Sequence, residues 1–236
     1  MRHDGRKNDQ LRPVKITRHF TRTAPGSVLF QAGGTTVLCT ASIDSKVPDW
    51  MAGKGRGWLT AEYNMLPGST SPRKKRDRDG KTDGRTTEIQ RLIGRSLRAI
   101  VDLDALGERT VAIDCDVLEA DGGTRTASIT GAYIALADAL ATVSTSFDPD
   151  RLPVNSSVAA VSVGLFEGAA LLDLDYSEDV DAAVDMNVVM TGDGRFIEIQ
   201  GTGEEATFTE AELQTLIALA RRGIEQLTAL QKATLK

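Results

Sequence analysis

At 236 residues, 41% hydrophobic and 26% charged, the composition is that of an ordinary globular chain, long enough for one large α/β domain or two small ones. No run approaches the ~20 apolar residues of a membrane span, and the start, MRHDGRKNDQLRP, has no apolar signal core. A cytoplasmic protein with no membrane partner is therefore expected. The net charge of −5 conceals an asymmetry: residues 1–100 hold 20 Lys and Arg against 9 Asp and Glu, and residues 101–236 hold 8 against 24.

Along the chain, PVKITRHF (13–20), GSVLFQ (26–31) and TTVLCTASI (35–43) are rich in β-branched residues and separated by turn signals. They predict a meander of strands, and WLTAEYNML (58–66) a further one. PGSTSPRKKRDRDGKTDG (67–84) has no apolar periodicity and a dense charge run, which predicts a long exposed loop. Over 86–101 the period changes: Ile89, Leu92, Ile93, Leu97, Ile100 and Val101 share a helical face, with Arg91, Arg95 and Arg98 off it. TVAIDCDVLEA then alternates as a strand, and residues 127–143 are small or apolar enough for a buried helix. Residues 157–200 supply four strand candidates, paired through Glu-Gly at 167–168 and Gly-Asp-Gly at 192–194. Thr209 with Glu212 is a capping box opening the last helix. The element order predicts one α+β body over 1–236, two strand sets each closed by a helix, with no linker between domains.

Histidine and cysteine are scarce. Cys39 and Cys115 lie in apolar strand-like runs and read as buried thiols, while His3 and His19 are distant from both in sequence. This argues against a zinc site and against a Ser-His-Asp or Cys-His nucleophile. Acid–base work falls to carboxylates, a bound metal or the substrate.

Four stretches carry the residue types for such chemistry. In LEADGGTRTASITGAY a strand runs into two glycines and opens a helix, so free N–H groups and the helix dipole at Gly123 and Thr124 favour an anion. Arg125 adds a planar donor matched to phosphate oxygens, and Arg85 in DGRTTE stands at a second helix start. Solvated surface arginines are the plainer alternative for both. LDLDYSEDVDAAVDMNVV is acidic, and Asp185 sits between Val184 and Met186 where a carboxylate is usually paired or metal-bound. If 179–185 turns into that strand, Asp179 and Asp185 face each other as hard oxygen ligands suited to Mg²⁺; an ordinary capped turn is the alternative. The run Arg73, Lys74, Lys75, Arg76 and Arg78 lacks aromatics, so it suits nucleic-acid backbone rather than bases, or is simply solvated. Gln200 to Gly203, the last of the four, ends a strand where glycines let backbone approach a ligand, or merely connect strand to helix.

Taken with LRPVKITRHF, GWLTAEYNMLPGS, GRTTEIQRLIGRSLRA and DMNVVMTGDGRFIEIQGTGEEATF, and in their order, these segments resemble the ribonuclease PH family nearly end to end. The resemblance implies a doubled β-α unit of the ribosomal protein S5 domain 2-like type. It implies a phosphorolytic 3′-to-5′ exoribonuclease, a tRNA nucleotidyltransferase that trims tRNA precursors and other RNA 3′ ends. Inorganic phosphate would be held by Arg85, Gly123, Thr124 and Arg125, with Asp179 and Asp185 supporting Mg²⁺ and catalysis. It also implies a homohexamer, a trimer of dimers. Val180 departs from the family pattern, standing where serine is common. The basic run is then expected to hold the tRNA body. Two rival readings are a catalytically silent RNA-binding ring subunit, which would have lost these arginines and aspartates, and a hydrolytic nuclease, which would need no phosphate.

Overall fold

A computed structural model describes residues 2–76, 83–148, 153–204 and 206–236. The first sheet contains β1 (Val14–Arg18), β2 (Gly26–Ala32), β3 (Thr35–Asp44), β4 (Trp58–Met65) and β5 (Thr110–Glu119), in the order β1-β2-β3-β5-β4. Only the β4–β5 pair is parallel, because the chain crosses over between them through α1 (Gly84–Arg98) and α2 (Leu103–Leu106). After α3 (Thr124–Thr142) comes the second sheet: β6 (Val158–Phe166), β7 (Ala169–Leu172), β8 (Val184–Thr191) and β9 (Phe196–Gly203), in the order β7-β6-β8-β9. The short α4 (Tyr176–Asp181) interrupts this sheet in sequence, and α5 (Glu210–Thr234) closes the chain.

The two β-α units share one apolar core because α3 lies between them. It packs on β2 and β3 through one side and on β6 through the other, so nearly every position is buried. That double burial explains a helix of small residues without an amphipathic stripe. Its close approach is visible at Gly26, where a Cβ would stand 1.8 Å from the Ala135 carbonyl oxygen. Strand β6 is covered by α3 and α5, and its first eight residues are buried in succession rather than in alternation. Cys39 and Cys115 are free, buried and adjacent across β3 and β5. No helix among the described residues is long and apolar enough to cross a membrane.

Several boundaries differ from the sequence pattern for identifiable reasons. Helix α1 starts at Gly84, not Thr86, because the Asp83 side chain accepts from the Thr86 N–H at 2.5 Å. It ends at Arg98, and Ile100 is buried beyond it. The stretch expected as a loop from 67 begins with a short 3₁₀ turn, Pro67–Ser69, whose Ser69 carbonyl accepts from the Ala120 N–H. The 179–185 turn is instead α4 followed by β8: Asp175 and Glu178 form a reciprocal capping box that starts a helix six residues long. Asp179 therefore projects from a helix.

Candidate active site

Strand β5 delivers the chain to Gly122 and Gly123, whose φ values of 72° and 62° lie in the left-handed region. Residue 122 cannot carry a side chain here, since a Cβ would stand 2.7 Å from the Asp175 carbonyl carbon and 2.8 Å from the Leu174 oxygen. Gly123 is the N-cap of α3, and no side chain caps that helix, so its first-turn N–H groups are left for a ligand. The Thr124 hydroxyl accepts from the buried Tyr63 hydroxyl at 2.9 Å, which ties the corner to β4.

Arg125 and Arg85, from the first turns of α3 and α1, line one cleft with Gly123, Thr124, Asp179 and Asp185. Their charges converge there. Burial raises the pKa values of Asp179, Asp185 and Tyr63, and both guanidiniums oppose that rise. The Arg125 guanidinium donates from Nη1 to Glu88 at 3.2 Å and to Gln200 at 3.0 Å. The two helix-start arginines and the two aspartates thus line one cleft, and Gln200 joins them there through its side chain.

The carboxylates respond to burial and to each other. Burial holds Asp179 above its ordinary value, against the opposing pull of Arg85 and Arg125. Asp185 on β8 is pushed up to about 6, first by burial and then by the neighbouring charge of Asp179. Its Oδ1 is buried without a hydrogen-bond partner, while Oδ2 receives only a long 3.5 Å contact from Asn187. A buried carboxylate oxygen without a donor, beside a second carboxylate, fits a divalent cation with oxygen preference. Glu204 raises both aspartates further. Glu204, Glu88 and Asn187 belong to the cleft but are missed by sequence reasoning, because nothing local distinguishes them from surface polar residues.

Another acidic group has ligand atoms within 4.8 Å of one another: His3, Asp175 and Glu178. There Arg2 pairs with Glu178, and Arg6 lies 3.5 Å from Asp175 and 3.6 Å from Glu178. Two guanidiniums already neutralise these acids, so the group is an ion-pair lattice. It also changes the meaning of the charge asymmetry: Arg2, Arg6 and Arg12 of the basic half are buried and turned inward.

Of the basic run, Arg73, Lys75 and Arg76 are exposed. Lys74 is half-buried and tied to Asp83 at 2.7 Å, at the cap of α1, so it fastens the run to the helix carrying Arg85. Arg78 lies outside the described residues. Val180 points to solvent with 57% of its surface exposed, away from the buried hydrogen bonds of α4.

Residues 10–141 match domain 1 of the 3′ exoribonuclease family and residues 156–223 match its domain 2. The chain is 62% identical to "Ribonuclease PH" of Rhodopirellula baltica over 236 residues, covering 98% of this chain and 96% of that one. It is 56% identical to "Ribonuclease PH" of Listeria innocua over 237 residues, covering 100% and 96%. Rice Rrp46 superposes with a TM-score of 0.81 at 19% identity over 100% of both chains. A chain of the Archaeoglobus fulgidus exosome with RNA bound to the active site does so with 0.81 at 22%, covering 100% of this chain and 92% of that one. These two establish the shared fold, and the full-length identities go further: the chain belongs to the 3′ exoribonuclease family of the ribonuclease PH type.

Proposed function

We propose that the cleft brings orthophosphate and the 3′ end of an RNA together, with its arginines and aspartates in distinct roles. The chain is a phosphorolytic 3′-to-5′ exoribonuclease of tRNA processing, a nucleotidyltransferase-type enzyme that uses inorganic phosphate as co-substrate. In our reading phosphate sits between Arg85, Arg125 and the Gly123–Thr124 corner. One phosphate oxygen attacks the last phosphodiester in line, and the bond from phosphorus to the 3′ oxygen of the preceding nucleotide breaks. The products are a nucleoside 5′-diphosphate and an RNA shorter by one. Arg85 and Arg125 spread the charge of the pentacoordinate phosphorus. Asp185 is placed to pass a proton to the leaving 3′ oxygen, directly or through a water. Because a phosphoanhydride replaces a phosphodiester, the reaction is reversible and the enzyme also adds nucleotides from diphosphates.

Asp179 and Asp185 are the residues that would hold Mg²⁺, which supplies further neutralisation of the phosphates when bound. The unpartnered Asp185 Oδ1 supports this assignment. Arg73, Lys75 and Arg76, with Arg78, are proposed to grip the backbone of tRNA precursors and other RNA 3′ ends, and Lys74 to anchor that run. A homohexamer, a trimer of dimers, in the cytoplasm completes the reading. A subunit contact is assigned to α4, where the large apolar side chains Tyr176 and Val180 are 61% and 57% exposed. Light scattering should return six times the 25.3 kDa chain mass.

The convergence of two helix-start arginines on one carboxylate-lined cleft carries the assignment. The silent-subunit alternative is not favoured, since a chain without catalysis has no need of that set. Incubation with RNA and Mg²⁺ should release nucleoside diphosphates only when phosphate is added. Arg85→Ala should abolish that turnover; monophosphates released in phosphate-free buffer would indicate a hydrolase instead.

A further inference from the structure

The phosphate corner is held from behind by a side chain that belongs to none of the roles above. Arg12 is 5% exposed and lies just before β1. Its guanidinium grips Asp173 with both arms, Nη2 to Oδ1 at 2.7 Å and Nε to Oδ2 at 3.1 Å. The same group donates from Nη1 to the Asp121 carbonyl and from Nη2 to the Gly122 carbonyl at 3.5 Å. Asp173 is in turn fixed: it accepts from the Arg12 N–H at 2.8 Å, and its own N–H donates to the Ser162 carbonyl at 2.7 Å.

From this geometry we infer that Arg12, clamped by Asp173, is a positioning residue that aims the Gly122–Gly123 corner at orthophosphate. The inference rests on the phosphate reading of the cleft and adds a residue to it. Glycines restrict the backbone least, so two in succession do not hold a ligand-binding shape by themselves. In a planar trans peptide the C=O and N–H point in opposite directions. Drawing the carbonyls of Asp121 and Gly122 onto Arg12 therefore turns the N–H groups of Gly122 and Gly123 to the other side. Thr35 reinforces the same setting, donating its hydroxyl to the Gly122 carbonyl at 2.6 Å and accepting from the Asp121 N–H at 2.9 Å. A planar fork satisfies two carboxylate oxygens and two carbonyls at once; an ammonium cannot. Asp173 also begins the segment that leads into α4, so one clamp registers the phosphate corner against the helix carrying Asp179.

The test compares steady-state phosphorolysis of a short oligoribonucleotide by the full chain and by Arg12→Ala, Arg12→Lys, Asp173→Asn, Arg18→Ala and Arg85→Ala. Phosphate binding without RNA is followed by calorimetry. Arg18 is the control for stability: it makes a similar bidentate pair, with Asp138, on the far part of α3. Arg12→Ala should raise the phosphate KM by about tenfold or more, with the RNA KM and the kcat at saturating phosphate within about threefold of wild type. Arg12→Lys should not restore the phosphate KM, because charge without the fork does not hold the carbonyls. Asp173→Asn, which keeps the size of the side chain, should shift phosphate affinity in the same direction by a smaller factor and serves if Arg12→Ala does not fold. Arg18→Ala should lower Tm and leave phosphate affinity unchanged. An Arg12→Ala or Asp173→Asn protein with wild-type phosphate affinity, while Arg85→Ala loses it, overturns the positioning role alone. Full rescue by Arg12→Lys overturns it too. Unchanged phosphate affinity in Arg85→Ala as well would remove the phosphate pocket and this inference with it.

Discussion

Replacing Asp185 by Asn should make the metal-free protein more stable at alkaline pH while impairing catalysis. In the fold Asp185 carries a pKa of about 6, against an ordinary aspartate value of 3.8. A carboxyl whose folded pKa is raised favours the native state where it is protonated, and loses that contribution as pH rises through the folded value. At 1.36 kcal/mol per pKa unit, the ionised group costs the native state up to about 3 kcal/mol above pH 7, and about 2 kcal/mol once solvent in the open cleft is allowed for. Integrating the two titrations, about 0.9 kcal/mol of this discounted cost develops between pH 5 and pH 8. The amide of Asp185→Asn keeps the shape and does not ionise. For a chain of this size the advantage of the variant in Tm should thus be about 2–4 °C larger at pH 8 than at pH 5. The assay is thermal unfolding in chelator-containing buffer at both pH values and one protein concentration. An advantage that did not change with pH, or a variant less stable than wild type at pH 8, would refute the account of a strained carboxylate. Adding Mg²⁺ should stabilise wild type more than the variant, and its affinity for wild type should weaken below about pH 6 as protons compete.

Two further outcomes follow from particular contacts. Gly122→Ala combines a φ of 72° with a Cβ pressed on the backbone of 174–176. Its Tm should fall by about 5–15 °C, as measured by thermal unfolding. Neutralising Arg73, Lys75 and Arg76 together should raise the KM for tRNA. It should also reduce the salt slope of tRNA binding by roughly 0.7–0.9 per lost phosphate contact, with turnover of a very short oligonucleotide largely spared. Equal loss on both substrates would place these residues at the reaction itself.

Much of the fold is legible because local patterns and tertiary packing agree. The alternation Val111, Ile113, Cys115, Val117 predicts β5, and all four are buried. Thr209 and Glu212 predict the start of α5, and both reciprocal capping bonds are present. The glycine pair and Arg125 mark a strand-to-helix corner by sequence alone, since little else requires Gly-Gly at that place. Short-range rules are weaker in the acidic stretch. There the choice between a turn and α4 depends on a capping box whose members, Asp175 and Glu178, are also bound by His3 and Arg2 from the N-terminus. Lys74 is indistinguishable in the chain from its basic neighbours, and only the fold sets Asp83 opposite it.

Residue types and spacing by themselves determined the strands, the start of α5 and the arginines and aspartates that line the cleft, because each leaves a mark within a few positions. Which charges face solvent was decided only in three dimensions. Arg2, Arg6 and Arg12 count in the chain toward the excess charge of the basic half, yet they are buried against Asp173, Asp175 and Glu178 more than 160 residues away. The physical reason is desolvation: a buried guanidinium is tolerated only where folding supplies carboxylates and carbonyls to meet it, and no local pattern records a partner that distant.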